Sequence, residues 1–206
     1  MFASLTTIEI ALLLVLPLII FFQRSSWKMK EYVFLIPIIY LVWYFSYAFL
    51  HEICHLSAAI ILGKKVYDFQ LIPYFWKGET GVGYVNSEYN QLTVLMPYIK
   101  DVVFSVVGAI IIMKKVIKKP FMTGLVLTIL VFSPLFDIAN NYLIYVTQSI
   151  NDFRAFSNLT SSTVAHFVGI LFLSITLIST LLLFKQGKNY PNVIGNKLSI
   201  REGCQG

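Results

Sequence analysis

Five stretches of the chain are dominated by apolar residues: about Ile8–Phe22, Tyr32–Leu62, Leu92–Met113, Phe121–Val146 and Val164–Phe184. Each comes near the roughly 20 residues that an α-helix needs to cross the hydrocarbon layer of a bilayer. The pattern predicts an all-α membrane protein with about five transmembrane helices, in which every span satisfies its own backbone hydrogen bonds. The first stretch is short and ends at Arg24 with no small-residue cleavage site, and no basic region precedes it. It therefore reads as a retained span rather than a removed secretory signal. One integral membrane domain over 1–184 accounts for the pattern, with 185–206 as a short cytoplasmic tail.

Between the second and third stretches the helical pattern breaks. The segment VYDFQLIPYFWKGETGVGYV, from Val66 to Val85, places β-branched and aromatic residues on both sides of a turn at Lys77–Gly81, with Gly83 just after it. That arrangement predicts a small β-hairpin. A strand edge of this kind can hold an extended substrate through backbone hydrogen bonds, with Gly81 and Gly83 as candidate substrate-binding positions. An ordinary loop outside the membrane is the competing reading.

Composition agrees with the membrane assignment. Charged residues make up 13% of the chain, about half the usual share of a soluble domain. The net charge of +6 does not point to nucleic acid, because the basic residues gather at span ends: Arg24, Lys28 and Lys30, then Lys114, Lys115, Lys118 and Lys119, then Lys185, Lys188, Lys197 and Arg201. Placing these groups in the cytoplasm gives a multi-pass protein with its N-terminus outside and its C-terminus cytoplasmic. Lys64, Lys65, Lys77 and Arg154 fall on the other side. Cys54 and Cys204 lie far apart on this map, so no disulfide is expected between them.

The chemistry concentrates in the second stretch, where His51, Glu52 and His55 spell HEICH. At 3.6 residues per turn, the two histidines stack on one helical face and can bind one divalent cation. The Glu52 carboxylate is then placed to take a proton from an activated water. Ionisable side chains at membrane depth are costly and mark function. A catalytic zinc needs a third protein ligand, and the candidates are Asp68, Asp101, Asp137, Asp152 and His166. Asp137 follows Ser133-Pro134, where proline would interrupt the helix and open space around the carboxylate. Asp101 adjoins Lys100 and is expected to be neutralised by it; Asp68 falls on the hairpin; His166 reads as a hydrogen-bonded interior histidine. Depth favours Asp137, about 24 Å along its span against about 30 Å for His51, whereas Asp152 needs the chain to fold back.

The stretch HEICHLSAAIILGKK resembles the HExxH helix of the site-2 protease family of intramembrane zinc metalloproteases, which runs on into small residues and a glycine. The later stretch SPLFDIANNYLIYVTQSINDFRAF resembles the compact peptidase branch of that family. Together they cover about Tyr44 to Phe184. The resemblance implies a Zn²⁺ cofactor, hydrolysis of peptide bonds within or beside the membrane, and a third ligand from an Asp on a later span. Typical members carry an NxxPxxxLDG pattern there. In this chain Asn140 and Asn141 precede Asp152 with no proline between, Phe153 replaces the glycine, and Pro134-Leu135-Phe136-Asp137 imitates another part of the pattern. The resemblance favours Asp152, which follows the asparagines and opens a new helical segment, and leaves Asp137 in competition. It also gives Asn140 or Asn141 the role of a donor to the substrate backbone or the oxyanion.

The expected activity is thus that of a zinc metalloendopeptidase with Glu52 as catalytic base and a membrane-protein or peptide substrate. Two other classes fit part of the pattern: a proteolytically inactive chaperone or adaptor of the same fold, and a metal-binding or transport protein.

Overall fold

The computed structural model describes residues 35–71, 83–117, 120–147 and 151–187. The expected first span, the basic residues Arg24, Lys28 and Lys30, the hairpin turn with Gly81, and nearly all of the tail lie outside the described residues. Helix α1 covers Leu35–Ile61, strands β1 and β2 cover Val66–Gln70 and Tyr84–Ser87, and helix α2 covers Gln91–Met113. Helix α3, Pro120–Leu127, runs through a π-helical turn at Thr128–Phe132 into α4, Ser133–Val146; the short α5, Asp152–Leu159, and α6, Ser162–Gly187, complete the described chain.

Three of these helical stretches, Gln91–Met113, Met122–Val146 and Ser162–Lys185, are long and apolar enough to cross a membrane. Only 33% of the most apolar window of the first and 28% of that of the last is buried inside the chain. The outward residues are themselves apolar, including Val103, Val107 and Ile110 on α2 and Ile170, Leu177, Ile178 and Leu181 on α6. A surface of this kind suits lipid, and the three helices fit a membrane protein.

Local chemistry explains where the elements stop and start. At the end of α1 the Lys64 amide donates to Ala59 O and the Gly63 amide to Ile60 O, at 2.8 and 3.1 Å. This pair of bonds closes the last turn around a left-handed residue, and Gly63 supplies it with φ +63°. Helix α2 opens on a reciprocal cap: Asn90 Oδ1 accepts from the Thr93 amide at 2.7 Å, and Thr93 Oγ1 accepts from the Asn90 amide at 2.9 Å. The expected interruption at Pro134 takes the form of the π turn. The Ser133 amide reaches back five residues to Thr128 O, so the helix widens and continues instead of breaking.

The hairpin strands pair antiparallel, with Phe69 opposite Val85, Gln70 opposite Tyr84 and an irregularity between Val66 and Asp68. Asp68 is engaged within the sheet, accepting from the Phe69 amide and the Tyr84 hydroxyl. Helix α2 is the centre of the packing and touches α1, α4, α5 and α6. One buried cluster joins Ile39, Ala109, Val131, Phe132 and Phe136; a second joins Val94, Tyr98, Ile138, Phe153 and Phe156. At Gly108 a Cβ would fall 2.7 Å from Leu130 Cβ, so glycine lets α2 and the π turn approach closely. The candidate site lies on the α1 face toward α2, α4 and α5.

Candidate metal centre

His51 and His55 point from one face of α1 with ring centroids 5.0 Å apart, as the i, i+4 spacing requires. Each ring is held through Nδ1 by a group that can only accept. His51 Nδ1 lies 2.7 Å from Asp137 Oδ2, and His55 Nδ1 lies 2.7 Å from the carbonyl oxygen of Thr93. These partners assign the proton to Nδ1 in both rings and leave the Nε2 lone pairs free.

Both Nε2 atoms converge on one point. They lie 3.3 Å apart, and Asp152 Oδ2 sits 3.1 Å from the first and 3.3 Å from the second. Three acceptors at such distances repel unless a cation lies among them. For a tetrahedral ion with bonds of about 2.0–2.1 Å, the ligand-to-ligand edge is about 3.3–3.4 Å. The three atoms therefore span one face of a tetrahedron, and the group His51, His55 and Asp152 could hold a metal ion. The donor set, two imidazoles and a carboxylate, suits Zn²⁺ with its fourth position open.

The two aspartates that competed at the sequence level take different positions. Asp152 opens α5, where Asn151 caps the helix by accepting from the Arg154 amide at 3.0 Å and donates through Nδ2 to Asn141 O. The chain does fold back after α4, and this brings Asp152 to the histidines. Asp137, fully buried, sits behind His51. Its Oδ1 accepts from Tyr47 at 2.9 Å and from Asn141 Nδ2 at 2.7 Å, while Oδ2 faces the imidazole. It stands on the Nδ1 side of His51 and is not among the three converging atoms, a position that carboxylates often take behind metal-bound histidines. Burial alone would raise the Asp152 carboxyl; in the metal-free chain, imidazoles that take a second proton at Nε2 supply hydrogen bonds and positive charge that outweigh it and hold the group below the ordinary carboxylate range.

Glu52 shares with the three ligands a cavity of ≈210 Å³, closed on one side by Gly83, Val85 and Ser87. A Cβ on Gly83 would lie 2.7 Å from Glu52 Cγ and 3.1 Å from Gln70 O, so the start of β2 approaches Glu52 only because residue 83 has no side chain. Neither Asn140 nor Asn141 lines this cavity, and the Asn141 amide is committed to Asp137. Asp101 pairs with Lys100 at 2.7 Å, Cys54 stands outside the cluster, and His166 is bonded to Tyr142 at 2.9 Å.

Three participants escape a reading of the sequence. The buried Tyr98 donates to Asp152 Oδ2 at 2.9 Å, Tyr47 donates to Asp137, and the Thr93 carbonyl receives His55. A signal exists only for the last. Pro97 stands four residues after Thr93, inside α2, and the amide that would normally bond the Thr93 carbonyl is absent from proline. No protein-family model, no curated protein and no solved structure matches the chain.

Proposed function

We propose that this protein is an integral membrane zinc metalloprotease, resembling the site-2 protease family, that hydrolyses peptide bonds of transmembrane or membrane-adjacent substrates. The observation that carries the reading is the convergence of His51 Nε2, His55 Nε2 and Asp152 Oδ2 at 3.1–3.3 Å, in one cavity with Glu52. A Zn²⁺ ion held there supplies Lewis acidity and brings the ionisation of a bound water toward neutral pH. Glu52 takes the proton of the attacking water and delivers it to the leaving amine. Asp137 and the Thr93 carbonyl keep both imidazoles turned with Nε2 toward the cavity, and Tyr98 holds the Asp152 carboxylate.

Strand β2 supports the way a substrate is held. The Glu88 amide donates to Lys65 O at 2.9 Å, so by the alternation of an antiparallel ladder the backbone of Val85 and Ser87 faces away from β1. Their buried side chains lie at the cavity. An extended peptide pairing with that edge presents its scissile carbonyl beside Glu52. A helical substrate must unwind first, because its own hydrogen bonds hide its peptide groups.

The test is zinc-dependent cleavage of a membrane-protein substrate by the purified full-length chain. Glu52→Ala is expected to keep its zinc and lose cleavage. Cleavage that survives this substitution contradicts the proposal, and zinc binding without any cleavage by the unaltered protein favours the adaptor or transport classes.

A further inference from the structure

The cavity of ≈210 Å³ around the histidines is smaller than the roughly 300–1,000 Å³ of most ligand pockets. An open groove of ≈560 Å³ adjoins it, and Tyr89 lines both spaces. The groove is walled by Leu92 and Leu95 of α2 and by Phe156 and Leu159 of α5.

Each wall continues an element that already builds the centre. On α5, Asp152, Phe156 and Leu159 stand at i, i+4 and i+7 and share one face. Phe156 is thus about 6 Å, and Leu159 about 10 Å, along the helix from the metal-binding carboxylate. On α2, Leu92 precedes Thr93, whose carbonyl holds His55. The chain leaving β2 passes from Ser87, which lines the cavity, to Tyr89, which borders the groove. An extended peptide advances about 3.3 Å per residue and turns alternate side chains to one side. The groove therefore opens about two to three residues from a bond placed over the centre.

The geometry points to this groove as a specificity subsite that takes a large apolar side chain, branched aliphatic or aromatic, two to three residues from the scissile bond. The inference rests on the hydrolase reading. No charged side chain lines the groove; of its two amide side chains, Asn90 accepts from the Thr93 amide at 2.7 Å and Gln91 donates to Leu159 O at 3.4 Å. A charged substrate group would lose part of its hydration there without meeting an opposite charge, whereas an apolar group is favoured by burial against Leu92, Leu95, Phe156 and Leu159.

The test needs no catalysis. Full-length, zinc-loaded protein in detergent is titrated with three dipeptide hydroxamates that share one chelating group and differ only in the side chain of the second residue from it: hydrogen, isobutyl or benzyl. The isobutyl or benzyl compound is expected to bind about tenfold or more tighter than the unsubstituted one. Leu159→Trp and Leu92→Trp, which fill the groove from opposite walls, are each expected to remove most of that ratio; zinc content measured alongside verifies that the centre is intact. Tight binding of all three compounds with no preference overturns the subsite and leaves the hydrolase reading standing, as does a preference unchanged in both variants. Failure of every hydroxamate to bind the zinc-loaded protein removes the open metal position and both readings with it.

Discussion

His55 Nδ1 donates to the carbonyl oxygen of Thr93 at 2.7 Å, and Pro97 keeps that carbonyl available. In an uninterrupted helix the amide four residues on would occupy it. Proline supplies none, so a residue that usually weakens a helix here frees the carbonyl that orients a candidate metal-binding imidazole.

Pro97→Ala should therefore act in opposite directions on stability and on metal binding. Proline in a helix interior costs about 3 kcal/mol relative to alanine, so the metal-free variant is expected to melt at a higher temperature. The new amide competes with His55 for the Thr93 carbonyl, and zinc affinity is expected to fall by about tenfold. Calorimetry of the metal-free protein and a zinc titration check the two effects. Unchanged zinc affinity would show that the carbonyl does not orient the ring.

The two aspartates should separate cleanly in a zinc titration. Asp152→Ala removes a ligand and is expected to abolish stoichiometric binding. Asp137→Asn leaves the three ligands in place but weakens the hold on His51, and is expected to lower affinity by about 10- to 100-fold while keeping one zinc per chain. The reverse ranking would exchange their roles.

Gly83→Ala places a Cβ 2.7 Å from Glu52 Cγ. Either β2 retreats or the carboxylate is displaced; zinc content is expected to be unchanged. A displacement of about 1 Å at a reacting group costs on the order of 100-fold in rate, and the drop should appear in kcat. Normal turnover by this variant would mean that β2 gives way and the Glu52 carboxylate keeps its place.

Acidification should release the metal, because protons and the cation compete for the same Nε2 lone pairs. Asp152 is held below the ordinary carboxylate range by the histidines and stays ionised through mildly acid pH. The sign follows: zinc affinity is lost as pH falls, with a slope approaching about two protons per metal, one for each imidazole. A slope near three would mean that the carboxylate also takes up a proton. The depressed carboxyl also contributes stability to the metal-free protein above its unfolded value of about 3.9, lost only as pH falls through the lower folded value.

Much of this architecture is legible in the amino-acid sequence. The expected stretches Leu92–Met113, Phe121–Val146 and Val164–Phe184 correspond within two residues to the three helices able to cross a membrane, because lipid imposes both a length and an apolar surface. The hairpin strands appear at Val66–Gln70 and Tyr84–Ser87, where β-branched and aromatic residues precede and follow the turn. The paired histidines are a local property of one helix, so their spacing sufficed.

The rest of the centre depends on contacts between residues far apart in sequence. Tyr98 meets Asp152 across 54 positions and His51 meets Asp137 across 86. Counting depth along a helix favoured Asp137 as a ligand, and Asp137 does lie level with His51. Depth carries no information on which ring nitrogen a carboxylate faces, and it cannot register the reversal after Val146 that returns Asp152 to the histidines. Of the asparagines expected at the substrate, neither lines the cavity, and the Asn141 amide is bonded to Asp137.

If two imidazoles and the Asp152 carboxylate hold one zinc with a position left open, X-ray absorption at the zinc edge of the purified, zinc-loaded chain will register it. One zinc per chain is expected, with about four nitrogen or oxygen neighbours at roughly 2.0–2.1 Å, two of them imidazole, and loss of that signal in Asp152→Ala. Sulfur among the neighbours, or a spectrum that Asp152→Ala leaves unaltered, would contradict this arrangement.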